Sequence, residues 1–279
     1  MNPCAMLKSS DTRRFGYNRI VVIESLPKQA KRTGKALYDD IIRKRALQME
    51  GLTHEYIPVE TKRNLTRALQ KIAEDVAKKG RMPFLHFEAH GQENGMVLQS
   101  GDFISWQELA LFLRRINVAT QHNLVISFAT CFAGSIYTEL DLDKQAPFFA
   151  FVGPFTEVSE HEVENGFINF FDSLLTSAGM IKSLIRLNEG CSREPIFRFM
   201  DAETAAFEAY ARYKEGLSNA DGFRDNVLKL MGEALRDMRI RQTVPIPILR
   251  QNMIEHLGRI DEVFLEIKRK FLMEDLKIS

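Results

Sequence analysis

Short, continuous apolar runs alternate with longer amphipathic stretches along the chain as far as about residue 190. Arg19-Ile-Val-Val-Ile-Glu-Ser-Leu-Pro27 reads as a buried strand stopped by proline. Thr33 to Gln48 turns helical, with Leu37, Ile41, Ile42 and Ala46 on one face and Gly51 ending it. His54 to Val59 is a short strand. Asn64 to Lys79 is an amphipathic helix whose stripe is Leu65, Leu69, Ile72 and Val76, with Gly80 as its stop. Pro83 to Ala89 gives a third strand. This β-α-β-α-β order predicts a parallel sheet with helical crossovers.

Met96 to Leu98 and Phe103-Ile104, around Gly101-Asp102, predict a hairpin at the edge of that sheet. Ser105, with Glu108 three positions on, predicts a capped helix to about Asn117. Asn123 to Ala129 is a fourth buried strand, closed by Cys131 and a Phe132-Ala-Gly-Ser135 turn. Phe148 to Gly153 is another. Ser159 to Ser177 predicts a helix with Val163, Phe167, Phe170, Phe171 and Leu174 inward, and Met180 to Asn188 a shorter one. From about Phe199 the strand pattern stops, and Asp201–Lys214, Ala220–Arg239 and Ile248–Leu276 all read as helices, with Pro245 and Pro247 between the last two. The expected organisation is a leader over 1–18, an α/β domain over 19–195 and a helical subdomain over 196–279. The last helix carries Met253, Leu257, Ile260, Phe264, Ile267 and Phe271 as a heptad seam. Ile254, Val263 and Leu272 widen it, which favours packing on the chain's own helices over a coiled coil with a partner.

Composition adds exclusions. The 279 residues are 45% hydrophobic and 27% charged, ordinary for a globular protein. Lys and Arg total 38 against 37 Asp and Glu, so the whole chain gives no electrostatic reason to expect nucleic acid. The first residues lack the apolar core of a secretory signal, and no run approaches the ~18 apolar residues of a membrane span. The only cysteines, Cys4, Cys131 and Cys191, are too few and scattered for a disulfide framework or a paired-Cys zinc site. A reducing cytoplasm is the expected setting. No strand is followed by Gly-x-Gly-x-x-Gly or a Walker loop, which argues against a nucleotide binder.

Two strand ends carry reactive groups. Parallel strands align their carboxyl ends along one edge, where open α/β sheets build sites. Phe84-Leu-His-Phe-Glu-Ala-His90-Gly91 brings an imidazole there, and Leu124-Val-Ile-Ser-Phe-Ala-Thr-Cys131 brings a thiol. A thiolate attacks carbonyls, an imidazole can take the thiol proton and later protonate a leaving amine, and the backbone N–H groups of Gly91 and Cys131 can hold an oxyanion. His86 and His90 flank Glu88, but on a strand their imidazoles stand ~13 Å apart, too far for one metal. His86 therefore reads as a sheet-face histidine, with Glu88 orienting it or satisfied as a core carboxylate. His54, His122, His161 and His256 have no constellation. Cys4 and Cys191 lack a His-Gly partner.

The His90-Gly91 strand, the Met96–Leu98 hairpin, the Ser105–Asn117 helix, the Cys131-Phe-Ala-Gly134 turn and the strand at Phe148 resemble the caspase-like, or clan CD, cysteine peptidases. Within that clan the chain is most similar to the CHAT type, often found in bacterial proteins. The similarity spans roughly Arg19 to Asn188, including Phe167-Ile-Asn-Phe-Phe-Asp-Ser-Leu-Leu, Gly179 and Ile181-Lys-Ser-Leu-Ile-Arg. Thr130 stands where an alanine usually precedes the Cys, and Ala89 precedes the His-Gly.

The resemblance implies a caspase-like three-layer α/β/α sandwich with a mostly parallel sheet, here followed by a helical subdomain. It implies a cysteine endopeptidase with Cys131 as nucleophile and His90 as general acid/base, needing neither metal nor organic cofactor and acting on a protein substrate. Asp102, Asp141, Asp143 and Glu157 are acidic groups within reach of a substrate pocket, favouring cleavage after Arg or Lys. The gap from 132 to 147 is short for autoprocessing, so the expected control is an activating partner or ligand, with the helices beyond Phe199 as the place for a partner to act, in a bacterial defence or signalling system. The rival reading is a catalytically inactive caspase-like module for binding or scaffolding.

Overall fold

The structure is a computed structural model that describes residues 16–176, 179–189, 191 and 195–277. The chain divides into two compact units: one runs to Asp141 and resumes over Gln145–Asp201, and the other holds Leu142–Lys144 and the chain from Ala202.

The first unit is built on strands β1 (Arg19–Ser25), β2 (Thr53–Pro58), β3 (Pro83–Gln92), β4 (Gly95–Val97), β5 (Phe103–Ser105), β6 (Val125–Ala129), β7 (Ala150–Pro154) and β8 (Phe197–Asp201). Its main sheet has the order β2-β1-β3-β6-β7-β8, parallel throughout except for β8, which runs antiparallel to β7. The helices of this unit are α1 (Thr33–Leu37), α2 (Arg43–Ala46), α3 (Lys62–Lys79), α4 (Trp106–Ala119), α5 (Glu160–Leu174) and α6 (Gly179–Asn188). They form a layer on each face of the sheet.

Strands covered on both faces read as unbroken apolar runs, because neither side meets water. Alternate residues serve the two layers. Val21, Ile23, Leu85, Phe87, Ile126 and Phe128 pack with Leu65, Leu69 and Ile72 of α3 and Trp106, Leu109 and Leu113 of α4. Ile20, Val22, Phe84, Val125 and Val152 pack with Leu37 and Ile42 near α1 and with Phe167, Phe170 and Phe171 of α5. The predicted helices are started by their caps. Thr61 and Asn64 form a capping box on α3, Ser159 and Glu162 one on α5, and Ser105 accepts from the Glu108 N–H at the start of α4. Gly80 ends α3 at φ 61°, a left-handed cap that glycine adopts without Cβ strain.

The structure departs from the sequence pattern in several places. The first helix is broken by a π-helical turn over Tyr38–Ile42, whose Asp39 pairs with Lys35 and Arg43 and whose Asp40 pairs with Lys44. The third strand does not stop at Ala89 but runs on to Gln92, leaving the main sheet to pair antiparallel with β4. A 3₁₀ helix over Ala133–Glu139 follows the Cys131 turn. Strand β8 lies where the pattern ends the strands at Phe199; its Phe-Arg-Phe alternation is period two, but it is only five residues long. Of the leader expected over 1–18, residues 1–15 lie outside the described residues. Tyr17 stacks edge-on against Phe84 at 5.7 Å, and the Asn18 N–H donates to the Met82 carbonyl at 3.0 Å.

The second unit contains α7 (Ala202–Leu217), α8 (Ala220–Ala234), α9 (Met238–Thr243), α10 (Ile246–Gly258) and α11 (Ile260–Phe271). Val227, Met231, Leu249 and Leu257 make its core, and Tyr210 stacks on Phe264 at 4.0 Å. The helix expected to reach Arg239 ends at Ala234, and Asp237 caps the next one by accepting from the Arg239 N–H. Pro247 sits in the first turn of α10, where its missing N–H costs nothing, so that helix starts two residues earlier than expected. The long last helix is two helices, parted at Gly258 and at Arg259, whose backbone leaves the helical region. The heptad seam is therefore not one continuous stripe.

Candidate active site

In the β3–β6 ladder, Phe84 stands opposite Val125, His86 opposite Ser127 and Glu88 opposite Ala129. The ladder ends there, two residues short of His90 and Cys131. Side chains paired across a parallel ladder point to the same face. His86 and Ser127 lie on the face carrying α5, where His86 Nδ1 and Ser127 Oγ bond at 2.8 Å and the imidazole packs on Phe167. Beyond Glu88, β3 peels off into its hairpin with β4, His90 opposing Val97. The imidazole is exposed and makes no hydrogen bond or ion pair among the described residues.

Gly91 packs directly on the backbone of the opposing turn. A Cβ built there would overlap the Cys131 carbonyl oxygen and lie 2.5 Å from Thr130 Cγ2 and 2.9 Å from the Cys131 carbonyl carbon. Only glycine permits so close an approach. Cys131 is half-buried, and its Sγ faces Val158 in the loop before α5, accepting from the Val158 N–H at 3.5 Å and lying 3.5 Å from its carbonyl. Phe132 takes up φ 55°, a left-handed conformation rare for a bulky residue, and its N–H donates to the Thr156 carbonyl at 3.2 Å. That N–H is thus engaged. Thr130, on the other side of the strand, is buried with its Oγ1 unpaired.

Beneath the strand ends lies a buried polar network that the sequence did not reveal as a unit. His86 Nε2 bonds Glu88 Oε1 at 3.1 Å, and Glu88 Oε2 accepts from the Thr33 hydroxyl. Glu24, opposite Glu88 in the β1–β3 register, is fully buried. It accepts from the Gly34 and Lys35 N–H groups at 2.9 and 3.2 Å, from the Tyr56 hydroxyl at 2.5 Å and from Arg32 at 3.2 Å. Burial and the neighbouring Glu24 push the Tyr56 phenol well above its usual range. The available signal was two glutamates at equivalent places in adjacent apolar strands, Glu24 and Glu88, which only a pairing register could connect.

Of the acidic side chains singled out for a substrate pocket, Glu157 is exposed beside Val158, the residue that meets the Cys131 sulfur. Asp102 instead accepts from the Lys62 N–H at 2.9 Å, holding the start of α3. Asp141 faces Arg114, whose guanidinium is pushed down by burial and held up by that carboxylate. Asp143 lies in the short Leu142–Lys144 stretch of the second unit. Cys191 is half-buried; burial and then Glu162 push its thiol up. Cys4 lies outside the described residues. His161 is exposed beside Asn165. Among the described residues no group of His, Cys, Asp and Glu is arranged to hold a metal ion, and no helix is long and apolar enough to cross a membrane.

No protein-family model matches the chain, and no curated protein matches it. Among solved structures it is similar to the crystal structure of caspase-1 from Spodoptera frugiperda, with a TM-score of 0.48 and 12% identity, covering 66% of this chain and 86% of that one.

Proposed function

We propose that the chain is a cysteine endopeptidase in which Cys131 attacks the scissile carbonyl and His90 moves the proton. The observation that supports this reading is the packing of Gly91, the residue after His90, directly on the Cys131 backbone just beyond the carboxyl end of β6. Cys131 sulfur, as thiolate, bonds the carbonyl carbon; the imidazolium of His90 gives its proton to the amine as the C–N bond breaks. Water then attacks the thioester with His90 as base, releasing the carboxylic acid and restoring the thiol. The N–H groups of Gly91 and Cys131 hold the oxyanion in both steps. Exposed Glu157, beside the Val158 that meets the Cys131 sulfur, with Glu160 at the start of α5, supports a preference for Arg or Lys before the cleaved bond. Control by a protein partner acting on the helices from Ala202, within a bacterial defence or signalling system, completes the proposal.

A second reading, an inactive binding module, is favoured by the engagement of the Cys131 sulfur with Val158 while His90 bonds nothing among the described residues. Labelling with an electrophilic peptide separates the two. The enzyme reading expects labelling lost in Cys131→Ala and slowed in His90→Ala; labelling that survives Cys131→Ala ends it. A positional peptide library that selects aspartate rather than Arg or Lys refutes the basic preference.

A further inference from the structure

Among the described residues strand β2 is an edge of the sheet, paired only with β1. The Thr53 and Val59 N–H groups turn inward, to the carbonyls of Asn18 and Glu24 at 2.8 Å each. Peptide groups alternate along a parallel ladder, so those of His54 and Tyr56 turn outward, and Pro58 adds an outward carbonyl without a donor. Beside this edge runs a cleft of about 470 Å³ between β2 and α3, floored by Ile57, Val59 and Ile72. Arg67 and Lys71 of α3 line it, and Arg63 continues their row one turn earlier.

The charges in this row stand out from their neighbours. Lys62 is paired with Glu108, Lys78 with Glu74, Lys79 with Asp75, and Arg19 with Glu55 and Asp75. Arg63, Arg67 and Lys71 are exposed and have no carboxylate partner among the described residues. Their spacing of four residues sets them about 6 Å apart along the helix. Side chains two apart on an extended strand share a face at about 6.7 Å. We propose that the β2 edge binds an extended acidic segment of another protein, added as a further strand, with carboxylates at alternate positions meeting Arg63, Arg67 and Lys71.

Other occupants fit less well. Two copies joined edge to edge at β2 about a two-fold axis would set their α3 rows side by side on the same face, cation against cation. The chain's own first residues carry Lys8, Arg13 and Arg14 against Asp11, the wrong sign. Two carboxylates also line the cleft, Glu55, which is paired with Arg19, and Glu60.

The test uses the full chain and a fluorescent octapeptide with glutamate at alternate positions and valine between, followed by anisotropy and by hydrogen exchange at β2. The expected result is saturable binding with slowed exchange of the His54 and Tyr56 amides. Arg67→Glu with Lys71→Glu, both exposed, weakens binding by at least about tenfold, since several pair energies change sign together. An isomer with its glutamates consecutive binds more weakly, and a lysine version does not bind. Absence of binding, equal binding of the isomer, unchanged exchange at His54 and Tyr56, or sedimentation revealing a dimer that protects the same amides each overturns the proposal. None of these readouts depends on Cys131.

Discussion

Replacing Gly91 with alanine tests whether the close approach of two strand ends builds the site. The new methyl would stand 2.5 Å from Thr130 Cγ2 and overlap the Cys131 carbonyl oxygen. Carbon atoms rest about 3.5–4.0 Å apart, so the backbones of β3 and the Cys131 turn must separate by roughly 1 Å. Gly91 has ordinary backbone angles, so alanine meets a collision and not a forbidden conformation. Overpacking of this kind costs about 1–3 kcal/mol. A 1 Å misplacement of reacting groups costs on the order of 10²-fold in rate. The assay is the rate of covalent labelling of Cys131 by an electrophilic peptide, with urea unfolding on the same samples. Gly51→Ala is the control: its φ of 80° strains alanine, yet nothing lies within 4 Å of the new methyl. It is expected to lower stability by about 1–2 kcal/mol and leave labelling unchanged. If Gly91→Ala labels at the wild-type rate, the approach does not position the site; if stability is also unchanged, the contact itself is refuted.

Glu24→Ala removes the acceptor for two N–H groups of α1, for Tyr56 and for Arg32, and is expected to cost about 3–5 kcal/mol in urea unfolding; a loss under about 1 kcal/mol contradicts the network. Asp75 is held below the usual carboxylate range by its hydrogen bond to Lys79, with Arg19 and Arg81 adding to the effect. A carboxyl depressed in the folded state adds stability above its unfolded pKa and loses it as pH falls through the folded one. Asp75→Asn is therefore expected to be less stable than wild type at pH 7, with the gap closing below about pH 4; a gap independent of pH refutes this. Burial pushes the Tyr17 phenol up to about 12. Because the unfolded chain ionises first, stability is expected to fall from about pH 10 towards 12, and phenolate absorbance that titrates at about 10 in the folded chain while Tyr17→Phe lacks it would contradict the burial.

Much of the first unit was legible because both faces of its sheet are covered. Continuous apolar runs such as Arg19–Ser25 and Val125–Ala129 need no register to be recognised, and the caps at Ser105 and Ser159 announce their helices locally. Strand β8 was lost because it gains its identity from β7 alone: Phe197, Phe199 and Asp201 pair with Pro154, Val152 and Ala150, partners more than forty positions away. The run from Ile248 to Leu276 misled for the opposite reason. Its apolar spacing continues through Gly258 and Arg259, while the backbone does not. At the site, His90 and Cys131 were visible as chemistry at strand ends. The burial of Glu24 beside Glu88, the turn of the sulfur toward Val158 and the engagement of Asp102 with α3 were not, since each depends on which segments meet. Sequence separation, and not residue type, marks what was missed.

The antiparallel β8 also sets an order of events during synthesis. Strands β1 to β7 are complete at Pro154, but the sheet gains its last member only when Phe197–Asp201 has left the ribosome. Until then β7, Ala-Phe-Val-Gly-Pro with every residue destined for burial, is a bare apolar edge. Such an edge invites pairing with other nascent chains. Truncation just before Phe197 is thus expected to leave β7 open to such pairing, and the five residues of β8 act as its seal.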